Sequence, residues 1–291
     1  MLRNTLLPFL LFTLSVAAQT DTDAHLQQAT AAYDAGDYEL ALLHADSAIA
    51  RTDTSAKAYK LRGDIHQRLV HLDQAISDYK ASEKLDPTDP RLYVSRGAAR
   101  ITGGNLKGGI RDLEKALELD DSDADAWYNL ACAKYMGQDI NGAMKDARRA
   151  LRLRADFPDA LFLSGVIKGE QYKEEDGLAE VQEALRLKPE IPGGRMSLAM
   201  LYYDTKRYEE AIDLFTAVID GKDEGKAEAY YYRGDCYYEL GDKEQACRNW
   251  RISADQGDRE AVFIVKNYCE TDEKKIPKKP VKKRKTTIIE F

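Results

Sequence analysis

The sequence predicts an all-α protein built as a solenoid of about seven antiparallel helix pairs with a C-terminal capping helix. Three observations predict it: a period of 34 residues, small residues at two fixed places in every period, and helix stops at the ends of periods. Composition fits a folded helical chain, with 44% hydrophobic and 32% charged residues and only eight prolines in 291.

The N-terminus reads as a cleavable export signal over residues 1–18: Arg3, an apolar run from Leu6 to Val16, then Ala17 and Ala18 before Gln19. The run is interrupted by Pro8, Thr13 and Ser15 and is short for an uncleaved membrane anchor, which needs about 18 apolar residues. Export to the periplasm or the extracellular space is therefore expected.

Counting in steps of 34 from Gly63 divides the chain into windows 22–55, 56–89, 90–123, 124–157, 158–191, 192–226 and 227–257, with one inserted residue before the last. The eighth residue of each is small: Ala29, Gly63, Gly97, Ala131, Gly165, Ala199 and Gly234. So is the twentieth: Ala41, Ala75, Gly109, Ala143, Gly177, Ala211 and Ala246. Closely crossing antiparallel helices need a small residue from each partner at the contact. The twenty-fourth residue is apolar throughout (Ala45, Tyr79, Leu113, Ala147, Val181, Phe215, Trp250) and fills the space beside that contact. Gly36-Asp37, Gly103-Gly104 and Gly241-Asp242 supply turns inside windows, and Pro87 and Pro189 stop helices at window ends. Gly108 and Gly109 sit inside the second helix of window three, where each costs about 1 kcal/mol relative to Ala.

These features resemble the tetratricopeptide repeat family, in an exported bacterial form: Trp127-x2-Leu130-Ala131, Leu198-Ala199-x2-Tyr202, Ala211-x3-Phe215, and Ala75-x3-Tyr79 ending in Pro87, over residues 22–257. The resemblance implies a right-handed superhelical solenoid and a role in binding proteins. Arg195 departs from the pattern, standing where other windows carry Tyr or Trp.

After Gly257-Asp258, residues 258–270 form a capping helix with an apolar face. Helices folding back at Gly257 would bring Cys247 beside Cys269, and in an exported chain that spacing favours a disulfide; two buried thiols are the alternative. Residues 271–291 are expected to be a disordered tail, since Pro277, Pro280 and the charge run oppose packing. From Glu270 onward the chain carries eight basic and four acidic side chains, net +4, against −11 for the remainder. The acidic body is no partner for nucleic acid, and only the tail offers contact with an anionic membrane surface.

No zinc-type Cys/His spacing, nucleophile elbow or phosphate-binding loop occurs, so no catalytic residue, metal or cofactor is expected, and the chain is read as a non-enzyme. In the resembled family the fifth, ninth and twelfth residues of each window line a concave groove. Here that stripe supplies Val94, Ile101, Tyr128, Tyr135, Phe162, Val166, Met196, Met200, Tyr203, Tyr231 and Tyr238, an apolar, tyrosine-rich lining suited to a peptide or protein segment. The competing use of the same stripe is packing between repeats. The expected function is a scaffold that supports assembly or localisation of an envelope complex. The alternative is an anchoring protein held to an anionic surface by its tail.

Overall fold

The computed structural model describes residues 21–171, 173–221 and 225–277. The expected signal peptide and the basic run from residue 278 onward lie outside them. All regular structure among the described residues is helical.

The described residues divide into two compact units, 21–139 and 140–277. In the first, α1 (21–34) and α2 (Tyr38–Arg51) precede the hairpins α3 (Ala56–Arg68) with α4 (Leu72–Leu85) and α5 (Pro90–Thr102) with α6 (Leu106–Leu119). Helix α7 (Ala124–Met136) ends the unit. The second opens with α8 (Ile140–Leu153). Three hairpins follow: α9 (Pro158–Glu170) with α10 (Glu174–Leu187), α11 (Gly194–Asp204) with α12 (Tyr208–Asp220), and α13 (Lys226–Glu239) with α14 (Lys243–Asp255). Helix α15 (Arg259–Ile264) then runs into a π-helical turn, Val265–Cys269. The boundary between the units falls inside the fourth 34-residue window.

In three of the hairpins the helices touch backbone to backbone. A Cβ on Gly165 would lie 2.9 Å from the Gly177 carbonyl oxygen, and one on Gly177 would lie 2.6 Å from that of Gly165. Gly97 and Gly109 repeat the arrangement in α5 and α6, and Gly234 meets the Ala246 carbonyl in α13 and α14. Gly109 is thus a crossing residue, whereas Gly108 meets only the side chain of Asn105, which caps α6. All seven residues at the twenty-fourth position have no solvent exposure. Burying a side chain the size of Leu113, Val181 or Phe215 contributes roughly 1.5–3 kcal/mol.

Wherever the fifteenth residue of a window is described, the turn has one geometry whatever its sequence. The fifteenth residue takes positive φ in Gly36, Gly104 and Gly241, and equally in Val70 (62°), Gln138 (63°) and Lys206 (59°). The next residue's N–H then bonds the carbonyl five residues back, as in Asp37 to Ala32, His71 to His66 and Asp242 to Tyr237. The same next residue often caps the second helix: Asp37 accepts from Leu40 N, and Asp242 from Gln245 N.

Successive hairpins are stapled by arginine at the seventh position, a feature the sequence reading did not identify. Arg62 makes a forked pair with Asp78 of its own hairpin (2.8 and 2.7 Å) and reaches back to Asp46 (2.7 Å). Arg96 does the same with Asp112 (3.0 and 2.9 Å) and Glu83. In the second unit, Arg233 donates to Asn249 (2.8 Å) and Thr216 (2.9 Å). Arg96 and Asp112 are each 4% exposed, so the pair is desolvated and its forked geometry must offset that cost. The hydrogen bonds from Arg96 hold the Glu83 carboxyl below the usual range.

The cap is fastened covalently. Cys247 of α14 and Cys269 are joined in a disulfide, with Cα atoms 5.6 Å apart. Tyr268 packs on Tyr238 and Trp250, with Lys243 Nζ 4.4 Å from its ring centre. The other two cysteines, Cys132 and Cys236, are buried.

Three outcomes are expected from these features. Replacing Val70, a β-branched residue in the left-handed region, by Gly raises stability by about 0.5–1 kcal/mol in urea denaturation, since the strain relieved is about 1–2 kcal/mol and glycine returns part of it as chain entropy. Reducing the disulfide, whose partners are 22 residues apart, lowers stability by about 3 kcal/mol, read as a shift in denaturation midpoint with and without reductant. Because the folded Glu83 carboxyl titrates below its ordinary value of 4.5, its stabilising effect is complete above that pH and lost as pH falls through the folded value. The fall in melting temperature below pH 4.5 is therefore expected to be shallower in Glu83→Gln than in the native chain.

Candidate functional site

Within the first unit α5 touches both α3 and α7, and within the second α11 touches both α9 and α13. The first helices of successive repeats therefore lie side by side in each unit and form a ribbon. The fifth, ninth and twelfth positions recur along it.

Burial divides the expected lining residues into two groups. In the first unit Val94 and Tyr128 are half-buried, while Ile101 and Tyr135 are buried. In the second, Met196, Met200, Tyr203 and Tyr238 are half-buried, while Phe162, Val166 and Tyr231 are buried. The five buried side chains have almost no surface to offer a partner. The part of the stripe left open thus narrows to Val94 and Tyr128 in one unit and to Met196, Met200, Tyr203 and Tyr238 in the other.

Aromatic packing fixes the second group. The Tyr203 ring lies 6.0 Å from Tyr208 and 5.5 Å from Tyr232, edge-on to both, and its hydroxyl donates to Asp235 Oδ2 at 3.3 Å. Burial, and then the neighbouring Asp235 carboxylate, push the Tyr203 hydroxyl well above the usual phenol range. Tyr203 is therefore a neutral hydrogen-bonding group at any physiological pH. Trp250 Nε1 donates to the other oxygen of Asp235 at 3.1 Å, and Tyr238 sits 5.9 Å from the Trp250 ring.

The first unit contains the counterpart. The Tyr79 hydroxyl donates to Asp64 Oδ1 at 2.8 Å, and Lys60 Nζ bonds Asp64 Oδ2 at 2.8 Å. In both units an aspartate at the ninth position thus receives a donor from the aromatic side chain at the twenty-fourth, fifteen residues later. This pairing was present in the sequence, since Asp64 and Asp235 occur in windows whose twenty-fourth residue is Tyr or Trp, but the lining stripe was read without its partners. It gives the ribbon a rigid floor: the carboxylate, buried at Asp235 and half-buried at Asp64, is bonded on both sides and holds the aromatic ring in place.

Among the described residues no group of three or more His, Cys, Asp or Glu side chains is placed to hold a metal ion, and no helix is long and apolar enough to cross a membrane.

Family models described as tetratricopeptide repeat match residues 26–90 and 175–226, and a second such model matches 228–252. Among curated proteins none matches the sequence significantly. Similar solved structures include a tetratricopeptide repeat protein from Parabacteroides merdae, 16% identical, with a TM-score of 0.59 over 84% of this chain and 96% of that one. The Cut9–Hcn1 hetero-tetramer of the APC/C is 16% identical with a TM-score of 0.65, covering 82% of this chain and 47% of that one. YrrB, a tetratricopeptide repeat protein with an unusual peptide-binding site, is 17% identical with a TM-score of 0.51, covering 67% and 97%. Repeat period, hairpin crossings, sequence models and fold agree: the chain is a tetratricopeptide repeat protein and a helical-repeat solenoid.

Proposed function

We propose that the protein is an exported interaction scaffold that binds a segment of another protein along the ribbon of first helices, and so supports assembly or localisation of a complex in the cell envelope. One observation carries the reading: Met196, Met200, Tyr203 and Tyr238 keep part of their surface open on neighbouring first helices of one unit. Methionine and tyrosine offer large contact area at small rotamer cost, which suits recognition of a chain segment. Peptide binding by YrrB, a protein of the same fold, adds support. The N-terminal sequence, Arg3 followed by the run Leu6–Val16 and Ala17-Ala18, supports export.

A photo-crosslinking side chain placed at Met200 in cells tests the proposal, with the same probe at the exposed Arg186 of α10 as control. A discrete protein captured from position 200 and not from position 186 is the expected result, together with a mature N-terminus at Gln19. Equal capture from both positions, or none from position 200, overturns the binding assignment. An N-terminus still at Met1 overturns export by cleavage.

A further inference from the structure

A second surface of opposite chemistry lies on the second helix of the fourth repeat. A recess of about 360 Å³ is lined there by Lys145, Arg148 and Arg152 of α8, with Met144 and Asn141 beside them, and by Lys173 at the entry to α10. Residues 141, 145, 148 and 152 follow spacings of four, three and four, so they share one face of the helix. No aspartate or glutamate lines the recess, and among the described residues none of the four cations has a carboxylate partner. Some exposed cations elsewhere are neutralised locally, as Arg186 is by Glu183, Arg207 by Glu210 and Arg248 by Glu244; here four converge on one recess without a carboxylate. The acid within the α8 run, Asp146, is only 2% exposed and faces inward. Like charges three and four residues apart on a helix destabilise it by a few tenths of a kcal/mol per pair. The folded chain therefore holds an electrostatic cost here that a bound anion removes.

We infer that this recess docks an acidic segment of another polypeptide. From Lys145 to Arg152 the helix rises about 10 Å, the reach of three to four residues of extended chain. Each arginine fork matches a carboxylate with two parallel hydrogen bonds. A small free anion would satisfy one or two of the four cations and leave the others repelling. A flat bilayer does not follow the recess to Met144, which lies buried beside it. Long-range attraction to extended polyanions is also opposed by the net charge of −7, whereas a short acidic stretch meets mainly the local field. Because the recess lies on α8, a second helix of its repeat, the inference stands independently of binding along the first helices.

Fluorescence anisotropy with the full chain tests it, using a labelled peptide of four Glu-Ser repeats and its Gln-Ser counterpart as probes. The Glu peptide is expected to bind, the Gln peptide at least about tenfold more weakly, and affinity to fall as salt is raised. Charge reversal at two exposed positions, Arg148→Glu with Arg152→Glu, is expected to weaken binding by about tenfold or more with an unchanged melting temperature. Should that variant fail to fold, Arg148→Gln with Arg152→Gln gives the same reading without adding acids. Met200→Glu is expected to leave binding of the Glu peptide intact, separating this surface from the ribbon. Equal binding of the Gln peptide, full retention by the charge-altered variant, or no binding of the Glu peptide overturns the inference. So does binding of phosphatidylglycerol vesicles by a chain that ignores the Glu peptide, since the anion would then be a lipid headgroup.

Discussion

Two helices can approach until main chain meets main chain only where neither carries a side chain larger than a methyl group at the crossing, and the hairpins α5–α6, α9–α10 and α13–α14 depend on that contact. In α9 and α10 the approach is so close that even a methyl on Gly177 would fall 2.6 Å from a carbonyl oxygen. The consequences spread outward. A fixed crossing defines a single pocket beside it, which the twenty-fourth residue fills, and that residue's size varies from Ala147 to Trp250 with no loss of burial. The crossing also sets the distance the chain must span between helices, so the connecting turn has one solution. Val70 and Lys206 adopt the left-handed conformation that Gly36 and Gly241 adopt freely. Tertiary packing overrides local preference there, at about 1–2 kcal/mol for each non-glycine residue.

This hierarchy explains what was legible in the sequence. The crossing is a steric exclusion repeated at a fixed period, so it leaves the same mark in every window and needs no knowledge of partners. The capping disulfide was legible for a similar reason: one sharp turn at Gly257 brings positions about equally far on either side together. The arginine staples were harder to read because each depends on three side chains from two repeats, and the third partner varies from Asp46 to Glu83 to Thr216. The aspartate-to-aromatic bonds of Asp64 and Asp235 escaped notice because a lone acid on a lining stripe looks like solvent-facing chemistry, whereas both are held from within by the residue fifteen positions later.

The lining stripe shows where periodicity stops being informative. Its members sit on the flank of each first helix, where one edge faces the neighbouring repeat and the other faces outward. Ile101, Phe162 and Tyr231 serve the inner edge and Tyr128, Met196 and Met200 the outer one, although all six occupy fifth, ninth or twelfth positions. Residue type does not separate the groups, because an apolar side chain satisfies both edges.

First and second helices therefore work under unequal constraints. Along the ribbon, a substitution that improves contact with a partner also acts on the packing between repeats, so the chemistry available there stays apolar or aromatic, with acids admitted only when bonded from beneath as Asp64 and Asp235 are. The outer face of a second helix has no such duty. Asn141, Lys145, Arg148 and Arg152 project from α8 while Ala143, Ala147 and Ala150 bury its other side, so charge accumulates without disturbing the core. A solenoid built this way can hold the apolar face of its first helices nearly fixed while the charge on the outer face of a second helix varies independently, where packing imposes least.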